Sequence, residues 1–256
     1  MQDEHEDMAV NGPAVVYEDD DVLVINKPVG WMVHEDGFAD EKTVVDWFLE
    51  KYPDAKGVGE PGFSPQGKEL KRSGVVHRLD KDTSGILILA KNQEAFEFLK
   101  QQFKNREVKK EYRALVYGRM HEKWGTVDRP IGRSAKDFRR RSAERGAKGT
   151  LRDSVTDWEC IGTGEYETEP FSYLNLKPKT GRTHQLRVHM KAIDRPIVGD
   201  KLYAGKKLES SNNLDLGRMA LHAHRLELVL PNGGTERFIA PIPEALERAV
   251  ERIAEA

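Results

Sequence analysis

Short apolar runs, many of them β-branched, alternate with polar turns along most of the 256 residues, and helical periodicity breaks in at a few places only. Ala14 to Tyr17 and Val22 to Asn26 read as a hairpin joined by four acidic residues and followed by the breaker Lys27-Pro28-Val29-Gly30. Thr43 caps a short helix to Tyr52 with Val44, Val45, Trp47, Phe48 and Leu49 as its apolar positions. From Pro53 to Ser73 periodicity is lost, which predicts a long surface loop. Two β-leaning runs, Val75-Val76 and Ile86 to Ala90, then flank a polar turn. Asn92 caps a helix that places Ala95, Phe96, Leu99 and Phe103 on one side. Strands are expected at Lys109 to Gly118, Ser154 to Ile161, Phe171 to Leu176 and Arg225 to Leu230. Thr183 is the expected N-cap of a helix carrying His184, Arg187 and Lys191 along one face, and Pro243 to Ala256 reads as a terminal amphipathic helix. Residues 1 to 13 are expected to be a disordered acidic tail, with one domain over 14 to 256.

Charge changes this picture. Residues 1 to 60 hold 4 Lys/Arg and 16 Asp/Glu, net −12, while the remainder carries +10. The window from Lys71 to Lys148 has 21 basic and 10 acidic side chains. Such a gradient favours a polyanionic partner for the middle of the chain. Within it, Asp128 to Lys148 is a basic excursion expected to be a hairpin or loop, with Arg139-Arg140-Arg141 as phosphate-contact candidates. No apolar run reaches the roughly 20 residues that span a bilayer. The single cysteine, Cys160, excludes an intrachain disulfide, and a cytoplasmic location is expected.

The candidate chemistry sits in VVHRLDKDTSGILILAK, residues 75 to 91. Asp80 lies there between Arg78 and Lys81, and Gly85 allows a tight bend that presents the carboxylate at a strand end. Taken alone, Arg78 and Asp80 read as a surface ion pair beside a turn. A metal-dependent hydrolase built on His184, His189, His222 and His224 is a rival, but His184 and His189 are five apart and do not share a helix face.

Further segments shift the balance. INKPVGWMVH, HRLDKDTSG, KKEYRALVYG, KTGRTHQLRVHM and PIVGDKLYA occur in this order, and together the chain resembles the RluA-type RNA pseudouridine synthases from about Val15 to Ala240. The resemblance is to the short, single-domain members. It implies an α+β fold with a bent, mostly antiparallel mixed sheet, flanking helices and a central RNA-binding cleft. It also implies isomerisation of uridine to pseudouridine in structured RNA, ribosomal RNA first and transfer RNA second, by a cytoplasmic monomer without cofactor or metal.

By position the resemblance makes Asp80 the catalytic aspartate, Arg187 the arginine that pairs with it, and Tyr112 the tyrosine that stacks on the target uracil. Arg78 would fill the space left by the flipped nucleotide. Lys81, Lys109, Lys110 and His184 complete the expected RNA-binding set. Hydrolytic glycosidases use two facing carboxylates, and one is evident here.

Overall fold

The computed structural model describes residues 12–35, 37, 41–64, 67, 69–137, 139–143, 147–207 and 214–254. Most of the expected acidic tail lies outside them. The class is α+β, as expected, and the chain forms two compact units, residues 1–109 with 225–240 and residues 110–224 with 241–256.

In the first unit β1 (Ala14–Glu18), β2 (Val22–Lys27) and β5 (Ser84–Ala90) form an antiparallel ladder. Strand β5 is buried at every position, so a continuous apolar run replaces alternation. Ile86, Ile88 and Ala90 join a core with Phe96 and Leu99 of α2 (Gln93–Asn105), while Leu87 and Leu89, pointing the other way, are equally buried. Helix α1 (Val44–Lys51) opens with a reciprocal capping box between Thr43 and Asp46, and α2 opens on the Asn92 side chain accepting from Ala95 N–H. Both caps follow the sequence reading.

Two expectations fail in this unit. Val75 makes only an isolated bridge to Leu89, and Val76 belongs to no strand. The reason is local: Gly74, at φ +74°, donates to Val58 O and accepts from Ala90 N, both at 2.9 Å, which turns the chain as it reaches β5. The supposed loop from Pro53 to Ser73 holds a 3-10 turn (Pro53–Ala55) and a two-stranded ladder, β3 (Gly62–Phe63) with β4 (Glu69–Leu70). Elements this short carry no periodic signal.

In the second unit β6 (Lys109–Tyr117, from Lys110 onward), β12 (Glu169–Pro178), β11 (Val155–Tyr166) and β7 (Trp124–Asp128) pair antiparallel in that order. The core here gathers Ala114, Val116, Phe171, Leu174, Leu176 and Met190, closed by Leu246, Ala249 and Ile253 of α4 (Glu244–Ala254). The basic excursion is a three-stranded sheet, β10 (Lys148–Arg152), β8 (Ile131–Arg133) and β9 (Arg141–Ser142). Strand β13 (Leu221–Val229) gives residues 225–229 to the first unit, where they pair with β14 (Thr235–Ile239).

Helix α3 (Gln185–Ala192) corrects a third expectation. Its N-cap is His184, in the left-handed region at φ +56°, not Thr183, and no side chain caps it. The buried Gln185 side chain fixes the entry to the helix: its Oε1 accepts from Arg182 N–H and Thr180 Oγ1, and its Nε2 donates to Val155 O and Thr156 Oγ1.

A Cβ at Gly74 would sit 2.6 Å from Ala90 O, at a φ that side chains rarely adopt. Gly74→Ala is therefore expected to destabilise the chain by about 1–3 kcal/mol, read as a lower urea midpoint; an unchanged midpoint would show that the turn relaxes freely.

Candidate active site

The Asp80 segment is anchored by buried groups on both sides. Lys27 has no exposed surface, and its ammonium donates to three carbonyls: Pro28 O and Trp31 O at 2.9 Å and Lys81 O at 3.2 Å. Gly30 N–H donates to the same Lys81 oxygen at 2.9 Å, so two donors hold the carbonyl of the residue that follows Asp80. Thr83 N–H then closes the turn on Asp80 O at 3.1 Å. Upstream, His77 accepts from Ile88 N–H through Nε2 at 3.1 Å and stacks on Phe103 with 4.6 Å between ring centres. Asp80 itself is half-buried between these anchors, and Gly85 follows at φ +117°, the bend expected of it.

Other candidates of the first unit lie on its surface. Arg78 is exposed, and its guanidinium reaches His34 Nε2 at 3.2 Å while His34 Nδ1 contacts Glu35 O at 2.6 Å. A ring that donates from Nδ1 to a carbonyl keeps a lone pair on Nε2 for Arg78. Lys81 forms an exposed ion pair with Glu41 at 2.6 Å. Lys109 belongs to a denser arrangement: Glu227 accepts from Lys109 at 2.7 Å, Arg225 at 2.6 Å and Arg237 at 3.0 Å. Three cations around one carboxylate hold its pKa down to about 2 and leave local positive charge in excess.

In the second unit Tyr112 stands half-buried in β6, opposite Leu176. Lys110 has its pKa lowered by burial, so its ammonium loses hydration in the folded chain. Arg187 is deeply buried and bidentate on Asp200, Nε to Oδ2 at 2.7 Å and Nη2 to Oδ1 at 2.9 Å. Asp200 Oδ1 also accepts from Leu202 and Tyr203 N–H, at 2.9 and 3.0 Å. The Arg187 guanidinium lies 5.1 Å from the Tyr203 ring centre, and the Tyr203 hydroxyl bonds His184 Nδ1 at 2.9 Å. The chain thus brings His184 and Arg187 together at one tyrosine.

His189, from the metal reading, is fully buried with Nδ1 on Thr156 Oγ1 and Nε2 on Arg129 O, so both ring nitrogens serve the fold, and burial lowers its pKa. The sequence reading missed Lys27, His34, Asp200 and Tyr203. All four lie inside the quoted motifs; Lys27 precedes Pro28 and Asp200 follows Gly199, a local signal that could have found them, whereas His34 and Tyr203 have no such neighbour. Glu227 was not singled out, because two of its three partners, Lys109 and Arg237, come from other strands.

Comparison with known proteins shows the family. The sequence profile described as RNA pseudouridylate synthase matches residues 21–192. An uncharacterised RNA pseudouridine synthase of Synechocystis sp. is 38% identical over 238 residues, covering 91% of this chain and 67% of the relative. The ribosomal large subunit pseudouridine synthase D of Borreliella burgdorferi is 38% identical over 234 residues, covering 90% and 65%. The chain spans about two thirds of the length of these relatives. Among solved structures, human RNA pseudouridylate synthase domain containing 1 superposes with a TM-score of 0.73 at 28% identity, covering 97% of this chain and 90% of that one. The chain belongs to the RNA pseudouridylate synthase family, of RluA type. It is an isomerase that converts uridine to pseudouridine in RNA.

Two predictions follow from the buried and clustered charges. Asp200→Ala strands a buried guanidinium and is expected to cost about 3–5 kcal/mol in chemical denaturation; a loss under 1 kcal/mol would mean that Arg187 finds other partners. Glu227 titrates at about 2 when folded against an ordinary 4.5. A depressed carboxylate stabilises the fold fully above pH 4.5 and stops doing so as pH falls towards 2. The melting-temperature gap between wild type and Glu227→Gln should therefore shrink across that window, and a gap independent of pH would contradict the assigned ion pairs.

Proposed function

We propose that this chain isomerises specific uridines in structured RNA, with ribosomal RNA as the favoured substrate class, residues 14–256 as its catalytic domain and Asp80 as its catalytic carboxylate. The observation that carries this is the HRLDKDTSG segment, whose Asp80 sits on a turn clamped by Lys27, Gly30 and Thr83. Family membership supports the reaction, and relatives named for the ribosomal large subunit support the substrate.

The reaction breaks the bond from uracil N1 to ribose C1′, turns the base in the pocket and joins C5 to C1′. The C5 proton leaves and N1 gains one, so atoms balance without an oxidant or water. An ionised carboxylate serves this step by attacking C1′ or by taking a proton from C2′, and one well-placed aspartate suffices for either. Tyr112 is assigned to stack on the uracil and to accept the C5 proton. Arg187, held rigid by Asp200, is assigned to pair with the Asp80 carboxylate and fix its orientation.

The target must leave its stack at a cost of a few kcal/mol. Arg78 is assigned to the vacated space, with His34 fixing its direction in the free protein. Lys81, Lys109, Lys110 and His184 are assigned to the RNA around it, and the excess charge around Glu227 suits a phosphate near Lys109.

Pseudouridine mapping by carbodiimide labelling and primer extension tests this in cells with wild-type protein, Asp80→Asn protein or none. Sites missing from both deficient samples, and falling in ribosomal RNA, are the expected result. Retention of every site by Asp80→Asn would remove Asp80 from the chemistry.

A further inference from the structure

The Tyr203 hydroxyl has a second partner besides His184. Arg141 N–H, on β9, donates to it at 2.8 Å. One oxygen therefore joins the edge of the basic three-stranded sheet to the residue that opens α3. The ring that carries this oxygen lies against the Arg187 guanidinium, and His184 meets it edge-on, with 5.7 Å between centres and 81° between planes. Tyr203 is itself buried, packed with Ile131 of β8 and Val188 of α3, with Ala143 and Leu202 against them. Its position follows β8 and β9 on one side and α3 on the other.

The turn that leads into β9 carries the exposed cations. Arg139 is bidentate on Asp137, at 3.1 and 2.8 Å, and Arg140 Nε lies 3.5 Å from the same carboxylate. The carboxylate is pinned by these cations and leaves one positive charge in excess at the turn. The turn is tied to the sheet by Ser134 N–H donating to Arg140 O, and Arg133 pairs with Arg141 across β8 and β9. RNA phosphates that draw Arg139 and Arg140 away from Asp137 would move this turn, and Arg141 N–H with it.

We propose that Tyr203 is a positioning residue that couples RNA contact at the Arg139-Arg140 turn to the orientation of Arg187. The inference rests on the assignment of Arg187 to the reaction. It gives the basic sheet a part in the rate as well as in affinity. RNA that engages the turn sets β9, β9 sets the hydroxyl, and the ring sets the guanidinium. RNA that misses the turn is bound without the correct arginine geometry, which is a source of substrate selection.

A double-mutant cycle tests it, using one stem-loop RNA that the wild type modifies, with single-turnover rate at saturating RNA and equilibrium affinity as readouts. Tyr203→Phe keeps the ring and the packing and removes the two hydroxyl bonds. It is expected to slow the saturated rate by about tenfold, the scale of one or two hydrogen bonds, with affinity within about twofold of wild type by the same cycle logic. Arg139→Gln/Arg140→Gln is expected to lower both affinity and saturated rate in the wild type, yet only affinity in the Tyr203→Phe background. Rate effects that multiply across the two backgrounds would overturn the coupling, as would a Tyr203→Phe variant with the wild-type rate. If Tyr203→Phe fails to fold, 3-fluorotyrosine at position 203 weakens the oxygen as an acceptor without changing its shape, and the same cycle decides. Arg187→Lys separates the two levels of the argument. A full rate for that variant ends the assignment of Arg187 and the coupling with it, whereas an inactive Arg187→Lys beside multiplying effects ends the coupling alone.

Discussion

A guanidinium removed from water is the constraint around which the second unit is arranged. Arg187 cannot lose its charge, so its burial is tolerable only where every strong donor direction meets an acceptor or a polarisable face. Asp200 supplies the matched fork, and Tyr203 supplies the face. These demands propagate. Asp200 can meet Arg187 with both oxygens only because the turn after Gly199 aims it there, and its Oδ1 stabilises that turn by accepting Leu202 and Tyr203 N–H. The same turn delivers Tyr203 to β9. A buried arginine thus accounts for the form of a segment thirteen residues away.

The first unit solves the matching problem with a lysine. The role proposed for Asp80 needs a fixed backbone and a reachable side chain, and a turn rich in charged residues provides the second more readily than the first. The buried Lys27 ammonium, bonded to three carbonyls, draws the Pro28 to Trp31 breaker and the Lys81 peptide to one point. Carbonyl oxygens crowd there, and the ammonium meets several at once because its donors rotate freely. His77 adds a second anchor by capping Ile88 N–H within β5. Order around Asp80 therefore comes in part from backbone groups held by side chains.

How much of this was legible follows from the range of each interaction. Caps at Thr43 and Asn92 were readable because donor and acceptor lie three residues apart. The run Ile86 to Ala90 was readable because a strand buried on both faces leaves a continuous apolar signature. Thr183 misled because it has the right residue type one place too early, and the left-handed backbone of His184 together with the Gln185 network decided the start of α3. Val76 misled because strand propensity says nothing about whether a neighbouring strand is free to pair.

The amino-acid sequence by itself determined the family, the α+β class and the basic middle of the chain, and it singled out Asp80, Tyr112 and Arg187 as candidates, since these rest on residue type and order. Only the tertiary structure decided which groups hold them. The Arg187–Asp200 fork, the hold of Lys27 on Lys81 O, the Lys109–Glu227 pair and the hydroxyl of Tyr203 shared between β9 and α3 all join positions thirteen or more residues apart in sequence. No periodicity or spacing encodes such pairs, because the distance that sets a hydrogen bond or an ion pair is measured through space and is fixed only when the separate elements pack.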